Sequence, residues 1–335
     1  MTAPTPSMFS DAARRMATEL ALKPGRPNLE VFADTLLELA RKDRQVLAVT
    51  SDSRGSGKLA PFGNALPDQI IEVGIAEQNL VGIAAGLAAS GKCVFAVSPA
   101  CFLTARSLEQ IKNDVAYSDH PVKLVGISAG VSYGALGSTH HSLHDIAALR
   151  AINNIDIVVP ADNWETRSAV QAAARSQHPT YLRFGKAPLY DLHSAAPPYE
   201  RGKGIVLREG TDLAFIASGE TVVHAALAAG QLAAFDGISC TVISMPMIRP
   251  LDVGAILGAA RCGAVITVEE HMINGGLGEA CASVLLESGK TVRFRRIGIP
   301  DEYTVTGSQA DIFRHYGISM EGLAAAGGQL VREGR

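Results

Sequence analysis

Between Gln45 and Ala174, short apolar runs rich in β-branched residues alternate with segments of helical period. That alternation constrains the fold more than any other feature of the chain. QVLAVTSD (45–52), DQIIEVGI (68–75), KCVFAVSP (92–99), VKLVGISA (122–129) and IDIVVPA (155–161) read as strands. Leu29 to Arg41, Glu77 to Ser90, Thr104 to Ala116, His144 to Ala151 and Trp164 to Ala174 read as the helices between them. Elements in this order predict a parallel sheet with helices on both faces. Ligands of such sheets sit beyond the carboxyl ends of the strands. The residues there are Asp52 to Lys58, Glu77, Phe102, Ser128 to His144, and Arg183.

KAPLYDLHSAAPPYERGKG (186–204) carries three prolines and no periodicity, so it reads as a linker. Beyond it DLAFIASG, ISCTVISM, AVITVEE and VRFRRIGI look like the strands of a second α/β unit, with helices such as Val222 to Ala233 between them. The expected organisation is a leader over 1–27 that ends in the turn-rich PGRPN, a domain over 28–186, a linker over 187–204 and a domain over 205–335. The fold class is therefore α/β, with two consecutive parallel-sheet domains, and 335 residues suffice for two full cores.

A formal net charge of -3 gives no reason to expect nucleic acid as a partner. The five cysteines are scattered, mostly within apolar runs, and never form a C-x-x-C pair, which fits a reducing compartment rather than a disulfide framework or a zinc site. The N-terminal stretch lacks the apolar core of a signal peptide. Leu80 to Ala89, the most apolar segment, is too short to span a bilayer, so no membrane is expected and the reading is cytoplasmic.

Glu77 stands where a strand-like run gives way to a helix of glycine and alanine, IEVGIAEQNLVGIAAGLAASG (71–91). An acidic residue in a first helical turn favours the macrodipole by ~0.3–1 kcal/mol when exposed. A carboxylate between an apolar strand and a helix with almost no other charge also tends to be desolvated, and so suited to proton chemistry. Gly82, Ala85, Gly86 and Ala89 form a small-residue stripe along that helix, and Gly91 is a natural cap. Interior glycines cost on the order of 1 kcal/mol each. Close approach of a second helix, or tight packing on the chain's own sheet, would offset that cost.

In GSTHHSLHDI (137–146), His140 and His144 are four apart and Asp145 follows. The order does not match a helical metalloprotease pair, and no further acidic ligand stands nearby. A better reading is a glycine-bearing loop, VSYGALGST (131–139), presenting His140 at the sheet edge to hydrogen-bond or protonate a substrate oxygen. His141 and His144 read as capping or surface residues. SDSRGSGKLAPF (51–62) resembles a phosphate cradle only in composition. Arg183 is a second candidate anion contact, and Phe102 could offer its face to a flat ring.

GIAEQN, FLTARSLEQIKND, GSTHHSLHDI, ALRAIN, IVVPADNWET and VEEHMINGGLGEA stand in one order along the chain. Together they resemble the C-terminal half of the transketolase family of thiamine-diphosphate enzymes, over nearly everything after Asn28. The resemblance implies that Glu77 bonds a ring nitrogen of the cofactor's aminopyrimidine and favours its imino tautomer. It implies that Phe102 packs against that ring and that Asp52 lies near the cofactor. It places His140 at the donor's oxygens, with Ser56, Ser128 and Arg183 along the substrate channel. Family members hold the diphosphate through Mg²⁺ with a G-D-G motif, which this chain lacks. The implied state is a split enzyme. An N-terminal partner subunit supplies the diphosphate site and the Mg²⁺ ligands, with none on this chain, and the pair dimerises into a heterotetramer acting on sugar phosphates.

Ordinary transketolases carry a histidine at the position of Ser128 and an acidic pair at Ala135 and Leu136. Those departures point toward split transketolases for branched or sulfonated ketoses. Other readings are the β subunit of a 2-oxo-acid dehydrogenase, a deoxyxylulose-phosphate-synthase-like enzyme, a scaffold or regulatory subunit and a His-based metallohydrolase.

Overall fold

The computed structural model describes residues 8–193 and 197–334. Its first eight strands are β1 (Lys23–Pro27), β2 (Val46–Thr50), β3 (Ile70–Glu72), β4 (Cys93–Pro99), β5 (Lys123–Ile127), β6 (Asp156–Val158), β7 (Thr180–Arg183) and β8 (Pro188–Asp191). After them come β9 (Ile205–Arg208), β10 (Leu213–Ala217), β11 (Cys240–Ser244), β12 (Met247–Arg249), β13 (Ala264–Met272) and β14 (Arg293–Ile299).

The first sheet runs β12-β6-β7-β5-β4-β2-β3, and all its members except β12 are parallel. Its inner strands are buried on both faces, which is why they read as apolar runs without alternation. Along β4, Phe95 and Val97 face the helices Asn28–Lys42 and Asn163–Arg175, together with Phe32 and Val170. Val94 and Ala96 face the opposite side, with Leu80 and Val115. The second sheet runs β14-β13-β10-β11-β9, parallel apart from β9. Both domains are thus α/β with parallel sheets, and the antiparallel members are the edge strands β9 and β12.

The structure differs from the sequence reading in four places. Strand β12 crosses from the second domain to pair with β6 of the first, so the domains share a sheet. The helix expected over Thr104–Ala116 instead begins at Ala100, right after Pro99, and stops at Arg106. Ser107 there returns its hydroxyl to the Leu103 carbonyl, and the chain goes on through wide turns over Ile111–Tyr117. The PGRPN turn and the start of the linker form strands, since β1 and β8 pair antiparallel.

The leader also contains a helix, Asp11–Glu19, capped by the Ser10 hydroxyl. Its Phe9, Ala13, Met16 and Ala17 are buried with Phe215, Val223 and Leu227, so it completes the second domain's core. The rest of the leader (1–7) and the middle of the linker (194–196) lie outside the described residues. No helix among the described residues is long and apolar enough to cross a membrane.

Candidate active site

Glu77 opens the helix Glu77–Ala89. The approach to it is pinned by Glu72 at the end of β3, whose Oε1 accepts the backbone N–H of Asp52 at 2.6 Å and that of Gly74 at 2.9 Å. Gly74 makes the turn with φ +75°, open to glycine at little cost. Leu80, Val81, Ala84, Ala85 and Ala88 anchor the helix on the sheet and leave the Glu77 side chain 5% exposed. Gly91, at φ +87°, ends it.

The helix itself offers no counter-charge, but the next one does. Arg106 Nη1 donates to both carboxylate oxygens of Glu77, at 3.0 and 3.1 Å. Phe102 and Arg106 are four apart on the helix Ala100–Arg106 and so share a face. The guanidinium carbon lies 4.3 Å from the Phe102 ring centroid. Glu77 and Arg106 line an open cavity of about 610 Å³ with Ile75, Ala76, Gln78 and Asn79.

From Phe102 the site continues through ring contacts. His140 meets Phe102 edge-on at 5.3 Å and Tyr133 at 5.5 Å. Its Nδ1 is 2.9 Å from the Thr139 hydroxyl, which leaves Nε2 as the nitrogen available to a substrate. The loop bearing these rings is closed by Ser142 N–H donating to the Gly130 carbonyl at 2.8 Å. The buried His141 braces it from within, its Nε2 2.9 Å from the Gly134 carbonyl. His141 is thus an internal strut rather than a surface residue. His144 is exposed and precedes the helix Asp145–Arg150, as a cap would.

The second domain holds this loop in place, a role the sequence reading did not assign. Glu270 of β13 accepts the Val131 N–H at 2.8 Å. Gln309 Nε2 donates to Glu270 at 2.8 Å and to Glu220 at 2.7 Å. Burial, reinforced by the charge of Glu270, pushes Glu220 up to about 8. Burial likewise pushes Glu270 up to about 7, against the pull of Arg183. Two adjacent glutamates in a buried strand, VEEH, were the available signal. Glu269 has a separate task, accepting the N–H groups of Leu277 and Gly278 at 2.8 Å each to cap the helix Leu277–Glu287.

Three of the residues named from sequence, Arg183, Ser128 and Ser56, are placed differently from the expectation, while Asp52 stands on the expected edge. Arg183 is the last residue of β7 and is buried, not turned to a channel. It donates to Asp145 at 2.8 Å and to the carbonyls of Ser142 and Glu270 at 3.0 and 2.9 Å. Burial works to raise Asp145, but Arg183, with His271 and Tyr181, outweighs it and holds the carboxylate below its usual range. Arg183 is spent joining the two domains. Ser128 is 1% exposed at φ +52°, buried beside Tyr133 and not open to a channel. Burial raises the Tyr133 hydroxyl, while the neighbouring Ser128 hydroxyl works the other way. The Ser56 hydroxyl is turned back to the Ser53 carbonyl at 3.2 Å. Asp52 lies exposed on the same edge at φ +51°, tied by its backbone to Glu72.

Residues 27–190 match the transketolase pyrimidine-binding domain, and residues 202–323 match the transketolase C-terminal domain. The chain is 49% identical over 304 residues to a subunit of the apulose-4-phosphate transketolase of Phocaeicola vulgatus, covering 90% of this chain and 96% of that one. It is 33% identical over 303 residues to a 6-deoxy-6-sulfo-D-fructose transketolase subunit of Clostridium sp. strain MSTE9, covering 90% and 94%. Among solved structures it resembles a split-gene transketolase, an inactive β4 tetramer, with TM-score 0.84 and 33% identity over 93% of this chain and 100% of that one. The chain belongs to the transketolase family. Within it, this is the C-terminal subunit of a split transketolase, a transferase of a family that uses thiamine diphosphate.

Proposed function

We propose that this chain, joined to an N-terminal subunit, transfers a two-carbon ketol unit from a ketose phosphate to an aldose phosphate. The observation that carries the reading is the convergence of Glu77, Phe102 and His140 on one line of contacts at the carboxyl edge of the first sheet. A planar nitrogen heterocycle needs a carboxylate near its plane and an apolar face to lie on. The planar Arg106 guanidinium makes that pair of contacts here, with Glu77 and Phe102. These residues therefore fit the aminopyrimidine of thiamine diphosphate.

The chemistry supplied by bound thiamine diphosphate is carbanion stabilisation at the transferred carbon. Glu77 would hold a proton against a ring nitrogen of the pyrimidine, and Phe102 would support the ring's face. His140 Nε2 would give and take a proton at the substrate's oxygens. Asp52, at the rim, is the least supported of the cofactor contacts. The diphosphate and its Mg²⁺ fall to the partner, because the G-D-G motif is absent from this sequence.

Self-association into a heterotetramer is supported by the helix Glu77–Ala89. A Cβ at Gly82 or Gly86 would meet nothing within 4 Å, so neither glycine packs on the chain's own sheet. Ile75 and Tyr117, on neighbouring segments, are 73% and 83% exposed. We propose a cytoplasmic setting, which the five free cysteines support.

The donor is proposed to be an unusual ketose phosphate, with apulose 4-phosphate, which the name of the Phocaeicola vulgatus relative carries, as the first candidate. Leu136, 56% exposed where ordinary transketolases carry an acid, supports a less polar channel mouth. The test is to reconstitute the complex and compare apulose 4-phosphate, 6-deoxy-6-sulfofructose, xylulose 5-phosphate and pyruvate as donors. Preference for pyruvate, or no transfer from any ketose, would overturn the reading.

A further inference from the structure

Glu77, Phe102 and His140 all belong to the first domain. Yet the loop over 130–142, which carries His140, is gripped by the second domain at its entry, its middle and its exit. At the entry, Glu270 Oε1 accepts the Val131 N–H at 2.8 Å. In the middle, a Cβ on Gly134 would strike the Gly307 carbonyl, and one on Gly137 would stand 3.1 Å from Thr306 Cγ2. The loop therefore rests directly on the chain at 306–307. At the exit, Arg183 bridges the Ser142 carbonyl at 3.0 Å and the Glu270 backbone carbonyl at 2.9 Å. One residue of β13 thus addresses both ends of the loop.

Gln309 is the hub of this grip. It stands just beyond Gly307 and opens the helix Gln309–His315. Its Nε2 donates to Glu270 Oε1 at 2.8 Å and to Glu220 Oε2 at 2.7 Å. An amide bonded on both sides cannot turn without leaving a buried partner unsatisfied, so it fixes the Glu270 carboxyl beneath Val131. Val131 and Gln309 share the single oxygen Oε1, which accepts whether or not the other oxygen carries a proton.

The outer face of the loop gives His140 no comparable support. Ala135, Leu136, Ser138 and Thr139 are exposed. Apart from its edge-on ring contacts, His140 bonds the adjacent Thr139 hydroxyl, which moves with it. We propose that Glu270 and Gln309 are positioning residues for the transfer, through which the second domain sets the place of His140 Nε2 against the substrate. That role rests on the ketol-transfer reading and deepens it.

The test is a double-mutant cycle in the complex with the partner subunit, pairing Gln309→Met with His140→Ala. Gln309 is half-buried, and methionine keeps its length while removing both N–H donors. A group displaced by about 1 Å can cost on the order of 10²-fold in rate, so Gln309→Met alone should lower kcat by about 10- to 100-fold. Affinity for thiamine diphosphate should stay unchanged. In the His140→Ala background the same substitution should change kcat by less than about twofold. Glu270→Gln keeps an acceptor oxygen for Val131 and should retain most of the activity. An equal loss in both backgrounds, or no loss in the single variant, overturns the proposal. If the wild-type complex transfers no ketol unit, the ketol-transfer reading fails separately. Hydrogen exchange over 131–141 then decides whether Gln309 sets the loop. Faster exchange in Gln309→Met, with Glu270→Gln at the wild-type rate, supports the grip, and equal rates in all three overturn it.

Discussion

Arg106 and Glu77 form a pair in which one guanidinium nitrogen serves both carboxylate oxygens while the same group lies over Phe102. Arg106 and a pyrimidine cannot make those contacts at once, so if Glu77 and Phe102 hold the ring as proposed, Arg106 must turn outward when the cofactor binds. Its side chain is 48% exposed, which leaves it room to do so. Only the Arg106 half of the pair is open to solvent, so its guanidinium can leave for water at little cost, whereas the buried Glu77 needs a partner in its place. The arrangement is therefore weak enough to give way and specific enough to keep Glu77 from standing unpaired.

Glu77→Gln separates the two roles of this carboxylate. The amide keeps the shape but cannot exchange a proton, so kcat of the reconstituted complex should fall by about 10²–10⁴-fold. Stability should change by less than about 1 kcal/mol, read as the thermal midpoint. Full activity in the variant would remove Glu77 from the chemistry.

Gly82→Leu tests the open helix face. Nothing lies within 4 Å of the new Cβ, so the single chain should tolerate it, and Gly82→Ala should even stabilise it by up to about 1 kcal/mol. Where two such helices meet, a leucine overpacks the contact. Light scattering should show the Leu variant as a smaller species. An unchanged mass would move the assembly surface elsewhere.

Much of this architecture was legible in the sequence, and the failures share a cause. The buried strands of the first sheet announce themselves as apolar runs, and the carboxyl-edge rule selects the segments carrying Glu77, Phe102 and His140. What local pattern cannot give is a contact between distant segments. Arg106 is invisible from Glu77, being 29 residues away, although its spacing of four from Phe102 offered a clue. Arg183 looked free because Asp145, 38 residues earlier, is brought beneath it only by folding. The strands β1 and β8, both bearing proline, carry no apolar period, since each lies at the edge of a two-stranded ribbon.

Gly185→Ala should destabilise the seam between the domains. Its Cβ would fall 1.9 Å from Glu220 Oε1, and Glu220 cannot retreat because Gln309 holds its other oxygen at 2.7 Å. Overpacking of this kind costs about 1–3 kcal/mol. A thermal midpoint equal to wild type would mean that the seam yields more easily than its contacts imply.

The Glu220–Glu270 pair makes stability depend on pH in a direction opposite to that of an ion-paired carboxylate. Both groups sit above the ordinary carboxylate value of 4.5, Glu220 at about 8 and Glu270 at about 7, chiefly through burial and then, for Glu220, through the charge of its neighbour. Below the unfolded value both states are protonated and the contribution to stability is complete. As pH rises the unfolded chain releases its protons first while the folded pair retains them, so stability falls until the folded groups also ionise. Each retained proton costs about 1.4 kcal/mol per pH unit across that window. Glu220→Gln keeps the acceptor for Gln309 and removes one titrating group. Its thermal midpoint should therefore decline less steeply than wild type between pH 5 and pH 8 (on the order of one proton's slope). The buried Glu165 and Glu269, both raised by burial, are common to the two proteins and cancel in the comparison. Parallel curves would show that Glu220 is already ionised in the folded chain.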